Sequence, residues 1–179
     1  MRIISGEYKG RRITAPNKLP VRPTTDMAKE ALFNILNNRY YFDDISVLDL
    51  FSGTGNISYE FASRGTQDIT AVDAHFGCIK FINQTAAAFS MPIKTIKSDV
   101  FKFLESTNQD FSIIFADPPY DFDLEQFSKI PELVFNSSTL QDEGLLIVEH
   151  SKHTDLSSLK HYNHSKSYGG NMFSFFTNN

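Results

Sequence analysis

Short apolar runs and helical stripes alternate along most of this chain. The apolar runs indicate buried strands, and between them hydrophobic residues recur at the spacing of an amphipathic helix. The predicted strands are 45–50, 69–72, 93–96, 111–116 and 144–149. The predicted helices are 28–36, 56–63, 76–89, 100–104 and 122–135, the last interrupted near Pro131. This alternation predicts an α/β fold, with a parallel sheet that carries helices on both faces.

The two ends of the chain show a different pattern. Residues 2–4 and 11–14 flank Gly6 and Gly10, which predicts a small N-terminal β-hairpin. Prolines at 16, 20 and 23 then indicate a linker. Strand patterns around 159–168 and 172–176 flank a double glycine, which predicts an antiparallel hairpin at the sheet edge. We expect residues 1–179 to form one domain, with 1–22 as an N-terminal extension and linker.

A glycine turn follows the first predicted strand. In Ser52-Gly53-Thr54-Gly55 the glycines let the backbone approach a ligand closely, and a helical pattern follows the turn. Asp73 ends the next strand, 20 residues after Gly53 (73 − 53), which is the spacing of a carboxylate that binds ribose hydroxyls. Strand, turn, helix and acid together predict a nucleotide-type cofactor site.

Two cofactors fit this turn, a dinucleotide and S-adenosylmethionine. A dinucleotide usually places its pyrophosphate beside a third glycine, but that position is Ser58. Asp49 directly precedes the turn and would repel a phosphate, whereas S-adenosylmethionine carries a sulfonium and an ammonium. Asp99 follows the third strand and could accept from an adenine amino group, cap the next helix, or do both. These residues favour S-adenosylmethionine over a nicotinamide-dependent oxidoreductase.

A second loop, Asp117-Pro118-Pro119-Tyr120, follows the strand 111–116. Ligands of open α/β sheets bind at the carboxyl ends of strands. The Asp117 carboxylate and the Pro118 carbonyl can each accept an N–H bond from a planar amine, and the prolines stiffen the loop. Tyr120 offers a flat face for a flipped-out base. Alone, the loop is equally consistent with a tight turn, but the cofactor motifs upstream favour methylation of an amine.

These motifs, in this order, resemble the RsmD family of small-subunit ribosomal RNA guanine-N2 methyltransferases. The resemblance runs from Met1 to about Phe176 and is most specific in segments 1–12 and 22–36. It implies the methyltransferase variant of the Rossmann fold and S-adenosylmethionine as cofactor. The implied substrate is a guanine of 16S ribosomal RNA, in the small subunit or an assembly intermediate. The chain departs from the family at Ser58, where glycine is usual, and at Asp73, where many related enzymes have glutamate.

The motifs and the resemblance together nominate two groups of site residues. The catalytic candidates are Asp117, Pro118, Pro119 and Tyr120. The cofactor-binding candidates are Arg22, Thr24, Asp49, Phe51, Gly53, Gly55, Asp73, Asp99 and Val100.

Charge is unevenly distributed along the chain. The net charge is −4, which is unusual for a nucleic-acid-binding protein. Residues 1–39 nevertheless hold eight basic and three acidic side chains, a net of +5, which leaves −9 for the rest. A basic segment on an acidic body can still bind phosphate locally. Lys9, Arg11 and Arg12 cluster at a glycine-containing turn, which we expect near the catalytic face and predict to bind RNA; a merely solvated basic segment is the alternative.

The remaining features exclude several classes of protein. The start is too polar for a signal peptide and no apolar run could span a membrane, so we expect a cytoplasmic protein, by default a monomer. Cys78 is the only cysteine and is expected to pack rather than react. The five histidines lack zinc-ligand spacing, and no metal is expected.

Two alternatives share part of this pattern. A DNA adenine or cytosine amino methyltransferase would use the same chemistry, but only about 40 N-terminal residues are left for target recognition. A noncatalytic RNA-binding module would not need both an intact glycine turn and an intact Asp117–Tyr120 loop.

Overall fold

A computed structural model describes residues 1–22 and 24–178, and within them five α-helices alternate with a seven-stranded sheet. The helices are α1 (Asp26–Asn37), α2 (Asn56–Ser63), α3 (Phe76–Phe89), α4 (Val100–Ser106) and α5 (Leu124–Asn136), with a 3-10 helix at Phe42–Asp44. The strands are β1 (Ser46–Leu50), β2 (Asp68–Asp73), β3 (Ile93–Lys97), β4 (Phe111–Ala116), β5 (Leu140–Ser151), β6 (Tyr162–Tyr168) and β7 (Asn171–Phe176).

The strand order is β3-β2-β1-β4-β5-β7-β6. Strands β1 to β5 pair in parallel, and β7 pairs antiparallel with both β5 and β6. This confirms the predicted α/β sheet with an antiparallel C-terminal hairpin. The order reverses between β1 and β4, and open sheets of this type bind ligands in the crevice outside the strand ends at such a point.

Helices cover both faces of the sheet and form two apolar cores. On one face Leu32 of α1, Phe61 of α2 and Ile82 of α3 are buried together. On the other face Leu104 of α4 and Ile130 of α5 are buried. The central strands are therefore apolar on both sides, which explains their continuous hydrophobic runs in the sequence. None of the described helices is both long enough and apolar enough to cross a lipid bilayer.

Helix α5 differs from the sequence prediction because it continues through Pro131 without a break. A capping box between Asp123 and Gln126 fixes its first turn. Pro131 and Val134 are buried with the rest of its apolar face. Packing therefore offsets the hydrogen bond that proline cannot donate.

The N-terminal hairpin is shorter than a regular ladder. Arg2 and Arg12 form a single antiparallel bridge, supported by backbone bonds from Ile3 to Arg11 and from Ile13 to Met1. After this bridge the chain continues to α1, whose N-cap is Thr25. Of the linker prolines, Pro23 lies outside the described residues.

A buried ion pair joins this N-terminal segment to α1 and α2. Lys29 Nζ lies 3.3 Å from Glu60 Oε2, and the two side chains are 1% and 0% exposed. Lys29 also donates to the Arg2 carbonyl at 2.6 Å and to Asn56 Oδ1 at 2.8 Å. Burial lowers the pKa of Lys29, and the Glu60 carboxylate opposes that shift. The three donors of the ammonium thus all have partners, which is the condition for burying a charge.

Candidate active site

A cavity of about 550 Å³ opens at the carboxyl edge of the sheet, where the strand order reverses. Because parallel strands end at one edge, residues that follow different strands converge there. The predicted site residues that line it are Arg22, Thr24, Asp49, Phe51, Gly53, Asp73, Asp99, Val100, Asp117, Pro118, Pro119 and Tyr120. Gly55, Lys9, Arg11 and Arg12 are not part of the lining.

The glycine turn is held by the carboxylate of Asp73. Gly53 N donates to Asp73 Oδ2 at 2.8 Å, and His75 N donates to Asp73 Oδ1 at 2.8 Å. Gly53 has φ +53°, and a Cβ there would lie 3.2 Å from Val21 Cγ1. Phe51 also adopts a positive φ of 55°, a strained conformation for a non-glycine residue at the end of β1. The acid therefore fixes the backbone that surrounds a bound ligand.

Gly55 lies outside the cavity lining. It has φ +86°, and an added Cβ would lie 2.8 Å from the ring of Tyr59. The next residue, Asn56, does line the cavity and was missed in the sequence. Its Nδ2 donates to the Thr24 carbonyl at 3.0 Å, so it ties the N-terminal segment to the start of α2. Asn56 directly follows the glycine turn, and this position could have identified it in the sequence as a site residue.

Asp49 is buried and explains the unusual Ser58. Ser58 Oγ donates to Asp49 Oδ2 at 2.6 Å. Burial raises the pKa of Asp49 to about 7, and the bonds from Ser58 oppose this shift. A glycine at position 58 could not supply the hydroxyl donor, so the departure from the family pattern comes with a bond that stabilises the buried acid.

Aromatic side chains form the apolar wall of the cavity. The ring of Phe51 contacts those of Phe101 and Phe122 edge-on, at centroid distances of 6.4 and 5.7 Å. Asp99 lies beside this wall and accepts from Lys102 N at 3.0 Å, so it caps α4 and also lines the cavity. Phe101 and Phe122 were not predicted, because an aromatic residue at helical spacing does not differ in sequence from a core residue. A flat apolar wall with an acid at its edge suits an adenine ring.

The loop after β4 lies next to the turn after β1 and lines the same cavity. Asp117 N donates to the Leu50 carbonyl at 3.3 Å, and a turn places Phe122 N 3.1 Å from the Pro119 carbonyl. Tyr120 is 47% exposed, and the Arg22 guanidinium carbon lies 5.1 Å from its ring centroid. The structure thus brings the predicted amine-binding loop and the predicted cofactor turn to one cavity.

Glu149 is a buried acid that the sequence analysis overlooked. It accepts from Thr24 Oγ1 at 2.5 Å and from Asn171 Nδ2 at 2.7 Å. Burial raises its pKa to about 7, and both bonds and the Arg22 charge oppose this. Burial is also the largest cause of the raised pKa of Asp117, and the negative charges of Glu149 and Asp49 raise it further. Glu149 ends an apolar run as Asp73 and Asp117 do, so the same sequence rule could have found it.

The raised pKa values predict that stability falls as pH rises. Asp49, Asp117 and Glu149 bind protons more tightly when folded than in the unfolded chain, so their contribution is complete below about pH 4. The contributions of Asp49 and Glu149 are lost as pH rises through about 7, and that of Asp117 is lost as pH rises through its own raised pKa. Each group can change the unfolding free energy by up to about 1.4 kcal/mol per pH unit. Urea unfolding should show lower stability at pH 8 than at pH 6. The difference should shrink in Asp117→Asn; an unchanged difference would contradict the assignment.

The side chains around the cavity fit S-adenosylmethionine better than a dinucleotide. Asp49, Asp73, Asp99 and Asp117 face it, with Arg22 as the basic side chain in its lining. A pyrophosphate would meet several carboxylates, whereas a sulfonium and an ammonium would be attracted to them. The charges in the lining therefore agree with the cofactor that the sequence favoured.

The basic turn does not lie where the sequence analysis expected it. Tyr8 Oη donates to the carbonyl of Phe89, the last residue of α3, and Arg11 lies over the Phe89 ring. Helix α3 begins at the cavity, so the turn with Lys9 and Arg11 lies at the opposite end of the helix. The expected position of the turn near the catalytic face is wrong. The turn is held by contacts with Phe89, which is distant in sequence, so the local pattern could not reveal its position.

Cys78 is buried in the wall of the cavity. Burial, and to a smaller extent the negative charge of Asp73, raise the pKa of its thiol to about 11. The raised pKa opposes formation of a thiolate nucleophile. Across residues 1–22 and 24–178 there is no group of three or more His, Cys, Asp and Glu side chains placed to hold a metal ion.

Known proteins share both the sequence and the fold. The model of the family described as conserved hypothetical protein 95 matches residues 1–177. Ribosomal RNA small subunit methyltransferase D of Escherichia coli K12 is 30% identical over 83% of this chain and 74% of its own length.

Two solved structures show the same fold. A hypothetical protein of Thermus thermophilus has a TM-score of 0.84 at 23% identity and covers 99% of each chain. The Thermus thermophilus 16S rRNA N2 G1207 methyltransferase RsmC, solved with AdoMet and guanosine, has a TM-score of 0.65 at 17% identity over 89% of this chain and 45% of its own. With the family model and the Escherichia coli relative, these matches confirm the resemblance, and the chain belongs to the conserved hypothetical protein 95 family, which includes the RsmD methyltransferases.

Proposed function

We propose that this protein transfers a methyl group from S-adenosylmethionine to the exocyclic N2 amine of a guanine in small-subunit ribosomal RNA. The observation that carries the proposal is the Asp117–Tyr120 loop, which lines the same acidic cavity as the glycine turn. The cofactor is S-adenosylmethionine, and the related Escherichia coli enzyme is named for small-subunit ribosomal RNA. Guanine 966 is the target that the family resemblance suggests.

Three residues of the loop have separate tasks in this proposal. The Asp117 carboxylate and the Pro118 carbonyl accept the two N–H bonds of the amine and so hold its nitrogen toward the methyl donor. Tyr120 stacks on the flipped-out guanine, with Arg22 against its ring. When bound, S-adenosylmethionine supplies an activated methyl group and a neutral leaving group. The protein mainly positions the amine and balances the positive charge that develops on it.

The cofactor side of the site is assigned in the same way. We assign Asp73 to the ribose hydroxyls, Asp99 to the adenine amino group, and Phe51 and Val100 to packing on the ring, because all four line the cavity. Asp49, Arg22 and Thr24 face the amino-acid end. Gly53 keeps the backbone close, while Gly55 supports the start of α2.

Residues 1–22 act as an RNA-binding extension of a single-domain, cytoplasmic enzyme in this proposal. Lys9, Arg11 and Arg12 are half or fully exposed to solvent and carry positive charge on an otherwise acidic chain. Since the turn with Lys9 and Arg11 lies away from the cavity, it would contact a part of the folded RNA distant from the target base. A protein with such a footprint would prefer a structured substrate, such as the small subunit or an assembly intermediate.

Labelled methyl transfer tests the proposal directly. Small subunits lacking the modification, free ribosomal RNA and duplex DNA would be offered in parallel with labelled S-adenosylmethionine. Label on guanine N2 in the subunit is the expected result. Label on DNA alone would overturn the substrate, and binding of S-adenosylhomocysteine without label on any substrate would overturn the activity.

A further inference from the structure

Glu149 lies beside Asp117 but does not line the cavity. Strands β4 and β5 are parallel and pair Ala116 with Val148, so the next residues along them, Asp117 and Glu149, are neighbours at the carboxyl edge. Of these two acids, Asp117 faces the cavity. Glu149 can therefore influence a bound amine through its neighbour Asp117.

Two donors stabilise the carboxylate form of Glu149 and oppose the rise in its pKa that burial causes. Thr24 Oγ1 donates to its Oε2 and Asn171 Nδ2 to its Oε1, so each oxygen of the buried group has a partner. Such bonds favour the ionised form of an acid. The described residues give the Asp117 carboxyl no comparable pair of donors. Of the two acids, Glu149 is thus the better placed to hold the negative charge.

Charges from three elements face the Asp117 carboxyl. Asp49 on β1 and Glu149 on β5 repel a negative charge on Asp117, and Arg22 from the N-terminal segment attracts it. Tyr120, on the same loop, also has Arg22 and Glu149 as charged neighbours. Burial and the two carboxylates raise the pKa of Asp117, and only the Arg22 guanidinium lowers it. Asp117 is therefore more basic than an ordinary aspartate.

We propose that Glu149 is a positioning residue that acts through Asp117, the negative charge of its carboxylate preparing Asp117 to take the proton that the methylated amine releases. This inference rests on the proposed function. In the reaction the amine lone pair forms the N–C bond, and the C–S bond breaks with its electron pair passing to sulfur. The cationic nitrogen then loses its proton to an Asp117 oxygen, and water in the open cavity receives it afterwards. An acceptor whose pKa lies near the working pH is the effective one.

The variant Glu149→Gln tests this link, with Glu132→Gln as the matched control. The glutamine keeps the size of the side chain and the acceptor for Asn171 but removes the charge, whereas Glu132 is exposed on α5. The titration midpoint of Asp117 would be followed through its 13Cγ resonance, assigned with Asp117→Asn. In Glu149→Gln we expect this midpoint to fall by about one pH unit or more. The acid limb of the kcat profile should shift with it, and kcat at pH 8.5 should fall about tenfold.

The control should leave both the midpoint and the profile unchanged. An unchanged Asp117 midpoint in Glu149→Gln would overturn the inference, even if activity falls. If that variant does not fold, Thr24→Val removes one donor from Glu149 and should also lower the midpoint; no shift there overturns the inference equally. Because the midpoint is measured without substrate, wild-type protein that methylates nothing would refute the proposed function and still leave this charge effect measurable.

Discussion

Replacement of Asp117 by asparagine is expected to reduce kcat for methyl transfer by about 1000-fold. The amide keeps the size of the side chain but offers one acceptor oxygen and no negative charge. It can neither balance the positive charge on the amine nor take up its proton. Single-turnover transfer of labelled methyl to small subunits, with protein in excess, measures this effect on the chemical step.

Cofactor binding and stability separate this role from a structural one. Binding of S-adenosylhomocysteine should change by less than about 1 kcal/mol, since Asp73 and Asp99 are untouched. The thermal midpoint at pH 8 should rise, because a buried acid repelled by Glu149 and Asp49 is gone. Asp121→Asn, an exposed change in the same loop, is the control and should retain activity. A variant that loses cofactor binding and stability together would show that Asp117 is needed for folding instead.

Replacement of Lys29 by methionine should destabilise the protein by roughly 3–5 kcal/mol. The change leaves the Glu60 carboxylate without its ammonium and removes the donor to the Arg2 carbonyl and to Asn56 Oδ1. Methionine fills much of the same volume, so the loss is electrostatic rather than a cavity. Urea unfolding at pH 7 gives the free energy directly.

A matched change is available on α3. Lys80 is exposed, and Lys80→Met should stay within about 0.5 kcal/mol of the wild type. Arg64 Nε, 2.9 Å from Glu60 Oε1, remains in Lys29→Met and is included in the expected range. A loss below about 1 kcal/mol would mean that Arg64 alone is sufficient to balance the buried acid.

The sequence predicts the sheet and half of the cavity lining because both depend on local patterns. Apolar runs mark strands, and parallel strands deliver the acids that follow them, such as Asp73, Asp99 and Asp117, to one edge. Glu149 obeys the same rule and was missed only because no motif surrounds it. The turn at Gly53 was predicted correctly because its glycines and its spacing to Asp73 are both local in sequence.

Features that depend on distant partners could not be predicted in this way. The position of the basic turn is fixed by Ser63, which accepts from the Tyr8 backbone N–H, and by Phe89, whose carbonyl accepts from the Tyr8 hydroxyl. Likewise, Pro131 stays helical because its neighbours are buried, which no propensity reveals. The role of Ser58 became visible only with Asp49 beside it. Each case is a tertiary contact that outweighs a local preference.

The hydrogen bonds of the N-terminal segment join residues far apart in sequence, which has a consequence for synthesis of the protein. Ile4 N finds its acceptor, Glu60, 56 residues later, and Thr24 finds Glu149 125 residues later. Asn171, which completes the partners of Glu149, belongs to the last strand. A nascent chain leaves the ribosome from its N-terminus, so its first segment emerges long before its partners exist. An interrupted translation product that lacks β7 would therefore lack an assembled active site, and modification activity should begin only when almost the whole chain has been made.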